Sequence, residues 1–288
     1  MKINGPKTRE TPGRPERVLL KRRGQRTLVP FGNKNIGRDF VLIAGPCSVE
    51  NESQFLKIAR KLKAAGIDGL RGGAFKPRTS PYDFQGLGID GLKILAAARE
   101  ETGLPVVTEI LDTRDVEAGC RYADMIQIGS RNMQNYALLK EVGKIQKPVM
   151  LKRGMQATLI EWLFAAEYIV AGGNPLVVLC ERGIRTFEST TRFSLDLNIV
   201  PAAKELTHLP IIVDPSHGTG RAELIEPMSL ASVAAGAHGL LIEVHPRPEK
   251  ALSDSEQQFP LGQFPPLVKK IRQLASLIDS FRVESTAR

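Results

Sequence analysis

From residue 41 onward the chain repeats one pattern eight times: a short apolar run, then a stretch with helical spacing. The runs are VLIAGPC (41–47), LRGGAF (70–75), PVVTEI (105–110), MIQIGS (125–130), PVMLKR (148–153), LVVLCE (176–181), PIIVDPS (210–216) and GLLIEVH (239–245). They are mostly continuous rather than alternating, as strands covered on both faces are. In 52–65, ESQFLKIARKLKAA, the residues Phe55, Leu56, Ile58, Ala59 and Leu62 form one apolar stripe. The segments 88–102, 133–144, 157–171, 190–206, 221–235 and 265–281 follow the same spacing, and 112–121 does so more weakly. Gly or Pro punctuates most helix-to-strand joints, at Gly66, Gly103–Pro105, Pro148, Gly172–Pro175 and Pro210. Eight such units suit a barrel of typically about 250 residues. An open doubly wound sheet usually carries a Gly-rich phosphate fingerprint after an early strand, and no G-x-G-x-x-G or Walker sequence is present. The expected fold is therefore α/β, a (β/α)8 TIM barrel over 41–288 behind a basic N-terminal extension over 1–40. Within that extension, ERVLLKRRGQRTLVPFG (16–32) fits a hairpin that turns at Arg23–Gly24 and closes the bottom of the barrel.

The 288 residues are 42% hydrophobic and 25% charged, the balance of a soluble globular protein. No run approaches the ~20 apolar residues that span a bilayer, and MKINGPKTRETPGRPERV has no apolar core of a secretory signal. Three cysteines, Cys47, Cys120 and Cys180, are too few for a disulfide framework, so a reducing cytoplasm is the expected compartment. The net charge of +9 raises the question of nucleic acid. Residues 1–40 alone hold eleven Lys and Arg against three acids, so nearly all of that charge is a solvated arm. Phe31 and Phe40 are the two aromatics there, few for base stacking, and neither a nucleic acid nor a membrane is the expected partner.

In a barrel of this kind functional residues gather at the C-terminal ends of the strands. Those positions hold Cys47, Arg71, Lys76, Arg78, Arg131, Lys152, Arg182, Arg185, His217, Glu243, His245 and Asp254. Cys47, His217, Glu243 and Asp254 offer one thiol, one imidazole and two carboxylates from neighbouring loops, a set hospitable to Mn²⁺, Fe²⁺, Zn²⁺ or Co²⁺. A cysteine after an apolar strand is most often a small buried hydrophobe; its shared rim with the other three is what argues for ligation. His208 and His238 fall at the opposite rim, whereas His245 shares a strand face with Glu243. The second group is cationic: Arg71, Lys76, Arg78, Arg131, Lys152, Arg182 and Arg185. Some of these can pair with local acids, as Arg182 with Glu181. Seven around one mouth imply substrates with several negative charges, because Arg suits bidentate phosphate and carboxylate binding.

The loop LRGGAFKPRTSPYDFQGLG (70–88) concentrates the puzzle, since it sets Arg71, Lys76 and Arg78 ahead of any acid until Asp83. Together with AGPCS, GSRNMQN, LKRGM, ERGIRTFE, DPSHGTG and IEVHPRPEKALSDSEQQ, it resembles the type I-beta subfamily of 3-deoxy-D-arabino-heptulosonate 7-phosphate (DAHP) synthases, in the family's order over about 41–258. The resemblance implies a homodimeric or tetrameric barrel that condenses phosphoenolpyruvate with erythrose 4-phosphate, the first step of the shikimate pathway. It implies Cys47, His217, Glu243 and Asp254 as ligands of the divalent metal. Arg71, Lys76, Arg131, Lys152 and Arg182 would bind phosphoenolpyruvate; Lys76, Pro77, Arg78, Thr79 and Ser80 would take the aldose phosphate. Lys76 would lie near the reacting centre as a general acid, a role a metal-bound water could fill instead. The sister family, 3-deoxy-D-manno-octulosonate 8-phosphate synthases, uses arabinose 5-phosphate and tends to carry KANR-type residues in place of KPRTS. A barrel that binds anions without turnover is a further alternative, and one that needs no thiol. Many relatives add a domain that senses aromatic end products; with only a basic segment of 40 residues ahead of the first strand, insensitivity to phenylalanine and tyrosine is the expectation, unless a separate partner protein confers control.

Overall fold

Eight parallel strands hydrogen-bond into a closed ring: β3 (Val41–Gly45), β4 (Gly69–Arg71), β5 (Val106–Glu109), β6 (Met125–Ile128), β7 (Val149–Lys152), β8 (Val177–Glu181), β9 (Ile211–Val213) and β10 (Gly239–His245). Closure is made by β10, which pairs with β3 from Gly239↔Val41 to Glu243↔Gly45 and with β9 at Leu240↔Val213. The computed structural model describes residues 13–22 and 24–286, with side chains to 281. Helices α1 (Glu52–Ala65), α2 (Ile89–Thr102), α3 (Val116–Tyr122), α4 (Tyr136–Val142), α5 (Leu159–Ala171) and α6 (Ile199–Leu206) connect successive strands up to β9. A short α7 (Pro215–Thr219) and then α8 (Ile225–Ala234) lead to β10, and α9 (Phe264–Thr286) packs against α8 and α1. A two-residue strand, β11 (Phe259–Pro260), adds to the top of β10.

Alternation along each strand divides the apolar residues into two shells. Outward residues such as Leu42, Ala44, Leu70, Val149 and Leu240 pack under the helices, while Val41, Ile43, Val107, Met125, Met150, Val178, Ile212 and Leu241 fill the lumen. Two residues further along the same faces the lumen turns polar: Glu109, Gln127, Lys152, Asp214 and Glu243 follow Val107, Met125, Met150, Ile212 and Leu241. The barrel is thus apolar below and charged at its C-terminal mouth.

The hairpin does form, but not where the sequence pattern puts it. β1 (Val29–Phe31) pairs antiparallel with β2 (Lys34–Ile36), and the turn is Gly32–Asn33. Gly32 has φ 59, which a two-residue hairpin loop requires and glycine adopts freely. Arg23, half of the expected turn, lies outside the described residues. Both flanks of that stretch bond to the α6–β9 joint: Leu20 N donates to Leu206 O at 2.9 Å and Thr27 N to His208 O at 2.8 Å. The last carbonyl of α6, on Leu206, has no partner within the helix, and Leu20 N satisfies it. Val29, Phe31 and Ile36 plug the lumen from below, with the Phe31 ring over Gly69, where any Cβ would sit 2.3 Å from it.

A second difference concerns 190–206, of which only Ile199–Leu206 is helical. Thr191 Oγ1 donates to Phe193 O at 2.7 Å, and the Thr186 and Ser194 hydroxyls bond at 2.7 Å. Such local bonds compete with helix formation, and Ile184 instead bridges Ser194 as a hairpin-like excursion.

Phe31→Ala should lower the free energy of urea unfolding by about 3–5 kcal/mol, because the ring fills a closed lumen that cannot collapse around the loss.

Candidate active site

The polar end of the lumen is built around Glu243, whose side chain is fully buried near the end of β10. Arg71 Nη1 donates to its Oε1, Gln257 Nε2 donates to its Oε2 at 2.6 Å, and its backbone N–H bonds Ser216 Oγ at 2.9 Å. Cys47 Sγ lies 3.1 Å from Asp254 Oδ2 and accepts from Lys76 Nζ at 2.8 Å. The ligand atoms of Cys47, Glu243 and Asp254 all fall within 4.8 Å of one another. His217 stands just outside this group, its Nε2 3.6 Å from Glu243 Oε1. Asp214 approaches Nδ1 of that ring to 2.8 Å and accepts from the His217 backbone N–H at 2.9 Å, and its carboxylate also takes Lys152 Nζ at 2.6 Å.

Burial and charge set the protonation states. Burial, with Glu243 beside it, pushes the Cys47 thiol up to about 12. Burial lowers the His217 imidazole despite Asp214 and Glu243, so the ring is held neutral, the form that ligates metals. Burial alone would raise the Asp214 carboxyl, yet His217 and Lys152 outweigh it and hold it well below the usual range. Burial likewise opposes the Lys76 ammonium, but Cys47 and Glu243 raise it. Two carboxylates and a sulfur crowded into one buried space form a donor set that a divalent cation fits, since it would offset their repulsion and draw off the thiol proton.

Above this group opens a cleft of ≈ 840 Å³, counting the solvent in its mouth, walled by Lys76, Arg78, Arg131, Lys152, Arg182 and Arg192. Several of these cations already have partners: Lys152 has Asp214, Arg78 has Asp83 at 3.2 Å, and Arg192 has Asp254 at 3.0 Å. Arg131 and Arg182 form no ion pair among the described residues; Arg131 Nη1 reaches Pro77 O at 3.5 Å, and the Arg182 guanidinium lies 4.0 Å from the centre of the Phe193 ring. Glu181 does not pair with Arg182. It is bound at 3.1 Å by Arg153, because adjacent strand residues face opposite sides.

Of the loop residues singled out in the sequence, Lys76, Pro77, Arg78 and Thr79 face the cleft. The Ser80 hydroxyl turns back to accept from Tyr82 N at 3.2 Å. Arg71 is buried beneath the cleft against Glu243, and Arg185 is exposed outside it. His245 is buried against the start of α1, 2.8 Å from Gln54 Nε2. Four residues escaped sequence reasoning. Asp214 precedes Pro215 as the cap of α7, a legible signal; Glu109 ends its strand and lines the cleft. Arg192 was masked by the helical spacing of 190–206, and Gln257 lies within the motif IEVHPRPEKALSDSEQQ without being singled out.

Comparison with known proteins places residues 26–280 on the family model described as "DAHP synthetase I family". A curated relative, phospho-2-dehydro-3-deoxyheptonate aldolase of Thermotoga maritima, is 50% identical over 253 residues, covering 88% of this chain and 75% of the relative. A 2-dehydro-3-deoxyphosphooctonate aldolase of Geobacter metallireducens is 32% identical over 271 residues, 87% of this chain and 98% of the relative. Among solved structures, that of the Thermotoga maritima DAHP synthase superposes with TM-score 0.88 at 48% identity, covering 91% of this chain and 77% of that one. A truncated form of the same synthase gives TM-score 0.86 at 44% identity over 92% and 98%.

Asp214→Asn strips the counter-charge from the buried Lys152 ammonium and should cost about 3–5 kcal/mol in urea unfolding, part of it recovered by adding Lys152→Met. The folded-state pKa of Asp214 lies below its unfolded value. Its stabilisation is therefore complete above about pH 4 and is lost as pH falls through the native pKa. Asp214→Asn should flatten that acid limb of the stability curve.

Proposed function

The chain belongs to the DAHP synthetase I family, and on that premise we propose how its cleft carries out the family's condensation. The enzyme is a 3-deoxy-7-phosphoheptulonate synthase: phosphoenolpyruvate and D-erythrose 4-phosphate, with water, give DAHP and inorganic phosphate. The observation that carries the site reading is the juxtaposition of a cationic cleft with the Cys47–Glu243–Asp254 group directly beneath it. Anion binding alone has no use for a buried thiol between two carboxylates.

Cys47, His217, Glu243 and Asp254 would hold the divalent ion, Mn²⁺, Fe²⁺, Zn²⁺, Co²⁺ or similar. When bound, it supplies Lewis-acid polarisation of the aldehyde oxygen. Arg131, Lys152 and Arg182 take the phosphate and carboxylate of phosphoenolpyruvate, with Arg71 and Lys76 at their base. Lys76, Pro77, Arg78 and Thr79 receive the aldose phosphate, and Ser80 shapes their loop from behind. C3 of phosphoenolpyruvate bonds the aldehyde carbon, water adds at C2, and the C2–O bond to phosphate then breaks. Lys76, kept protonated next to Cys47 and Glu243, delivers a proton to the new alkoxide. Holding two mutually repelling anions in contact supplies much of the rate, because their approach in water is unfavourable.

The KPRTS wall supports the four-carbon sugar over arabinose 5-phosphate, and the 50% and 32% identities to the two kinds of aldolase point the same way. We further assign a homo-oligomeric state, dimer or tetramer, and a cytoplasmic setting; no helix among the described residues is long and apolar enough to cross a membrane.

The direct test follows the ultraviolet loss of phosphoenolpyruvate with each sugar phosphate, in Mn²⁺ or in EDTA. Metal-dependent consumption with erythrose 4-phosphate is expected. Preference for arabinose 5-phosphate would move the chain to the sister activity, and consumption undiminished by EDTA would remove the metal from the account. Cys47→Ala should lower metal-dependent turnover by at least about two orders of magnitude. Asp83→Asn frees Arg78 and removes a like charge from the sugar-phosphate wall. It should lower the KM for erythrose 4-phosphate about two- to five-fold, most at low salt, with the KM for phosphoenolpyruvate unchanged.

A further inference from the structure

We infer that Arg192 and Gln257 are positioning residues that hold the metal ligands in register and join them to the wall that receives phosphoenolpyruvate; the inference rests on the metal reading above. Arg192 reaches two ligand-bearing segments at once, the loop of Asp254 and Gln257 and the short helix that carries His217. Its Nη1 donates to Asp254 Oδ1 at 3.0 Å and to Gln257 Oε1 at 2.7 Å. Its backbone N–H donates at 2.9 Å to Thr219 O, at the end of the short helix that carries His217. Its stem lies so close to Gly220 that a Cβ there would meet Arg192 Cβ at 2.4 Å.

Gln257 completes the tie. It is 1% exposed and uses both ends of its amide: the oxygen accepts from Arg192, and the nitrogen donates to Glu243 Oε2 at 2.6 Å. This orientation leaves the Glu243 carboxylate between two donors, Arg71 and Gln257, with no freedom to swing. Asp254 needs restraint for another reason. Its φ of 47 makes it the one non-glycine residue in the left-handed region among those described. Such a conformation costs on the order of 1–3 kcal/mol and persists only when its surroundings over-determine it. The Arg192 guanidinium grips one oxygen of that carboxylate, and the Cys47 thiol meets the other. Arg192 lies 5.7 Å from the centre of the Phe193 ring, on which Arg182 also packs at 4.0 Å. The positions of Arg182 and Asp254 are thereby coupled through two adjacent residues of one loop.

A group with this role should change metal affinity and coordination, whereas a residue that only binds substrate should change KM. Metal-stripped full-length protein would be titrated with Co²⁺, reading the cobalt–thiolate and ligand-field absorption, and with Mn²⁺ against a chelator. Arg192→Gln and Gln257→Leu are expected to weaken both metals about 10–100-fold, the usual cost of losing an outer partner of a metal ligand, and to shift the cobalt bands. Arg192→Lys, which keeps the charge but loses the fork, should fall between them and the parent. Circular dichroism melts report folding, and if Arg192→Gln does not fold, Arg192→Lys and Gln257→Leu carry the comparison. Unchanged metal affinity and cobalt spectrum, with a raised KM for phosphoenolpyruvate, would overturn the inference. Cys47→Ala separates the two levels: if it keeps full metal affinity, the metal reading itself is wrong; if it loses the metal while Arg192 and Gln257 variants do not, only the inference falls.

Discussion

A carboxylate removed from water at the head of a barrel strand has to be met on every side, and the mouth of this barrel is organised around meeting Glu243. Arg71 rises from the neighbouring wall, Ser216 bonds its backbone, Gln257 closes it from the following loop, and His217 faces its free edge. Breaking such an arrangement by removing one partner strands an uncompensated buried charge. The end of β4 and the segments after β9 and β10 are therefore not independent decorations. Each brings a counter-charge or donor that the others require.

The same logic explains why the charged layer sits on an apolar one. Inward positions below Lys152, Asp214 and Glu243 are Met150, Ile212 and Leu241, and below those lies the plug made by Val29, Phe31 and Ile36. A dry floor keeps the interactions above it strong, since water cannot enter from underneath to screen them. The N-terminal hairpin, remote from any chemistry, thus supports the electrostatics of the site by sealing its far end.

The barrel was legible because buried parallel strands leave continuous apolar runs, and helices leave stripes broken by Gly and Pro. The cationic wall was legible because Lys152 ends such a run and Lys76, Arg78, Arg131 and Arg182 stand just past one. What could not be read was pairing. Nothing local says that Arg71 belongs to Glu243, 172 positions away, or that Lys152 belongs to Asp214. A basic Arg–Gly step looks like a turn, whereas the flanks of that segment bond the Leu206 and His208 carbonyls of the α6–β9 joint. Arg192 was hidden by an apolar spacing that Thr, Ser and Glu side chains overrode through bonds to their own loop. Ser80 shows the converse: a polar residue inside a strong motif whose hydroxyl serves the loop and not the cleft.

The central claim, that one buried group at the C-terminal mouth gathers a metal and two anions, is tested most directly by anomalous diffraction. Crystals would be soaked with Mn²⁺ and phosphoenolpyruvate and measured at the manganese edge. The account predicts a single strong peak bounded by Cys47, His217, Glu243 and Asp254, with the phosphoenolpyruvate phosphate against Arg131 and Arg182. A peak elsewhere, or phosphoenolpyruvate bound away from that wall, would contradict it.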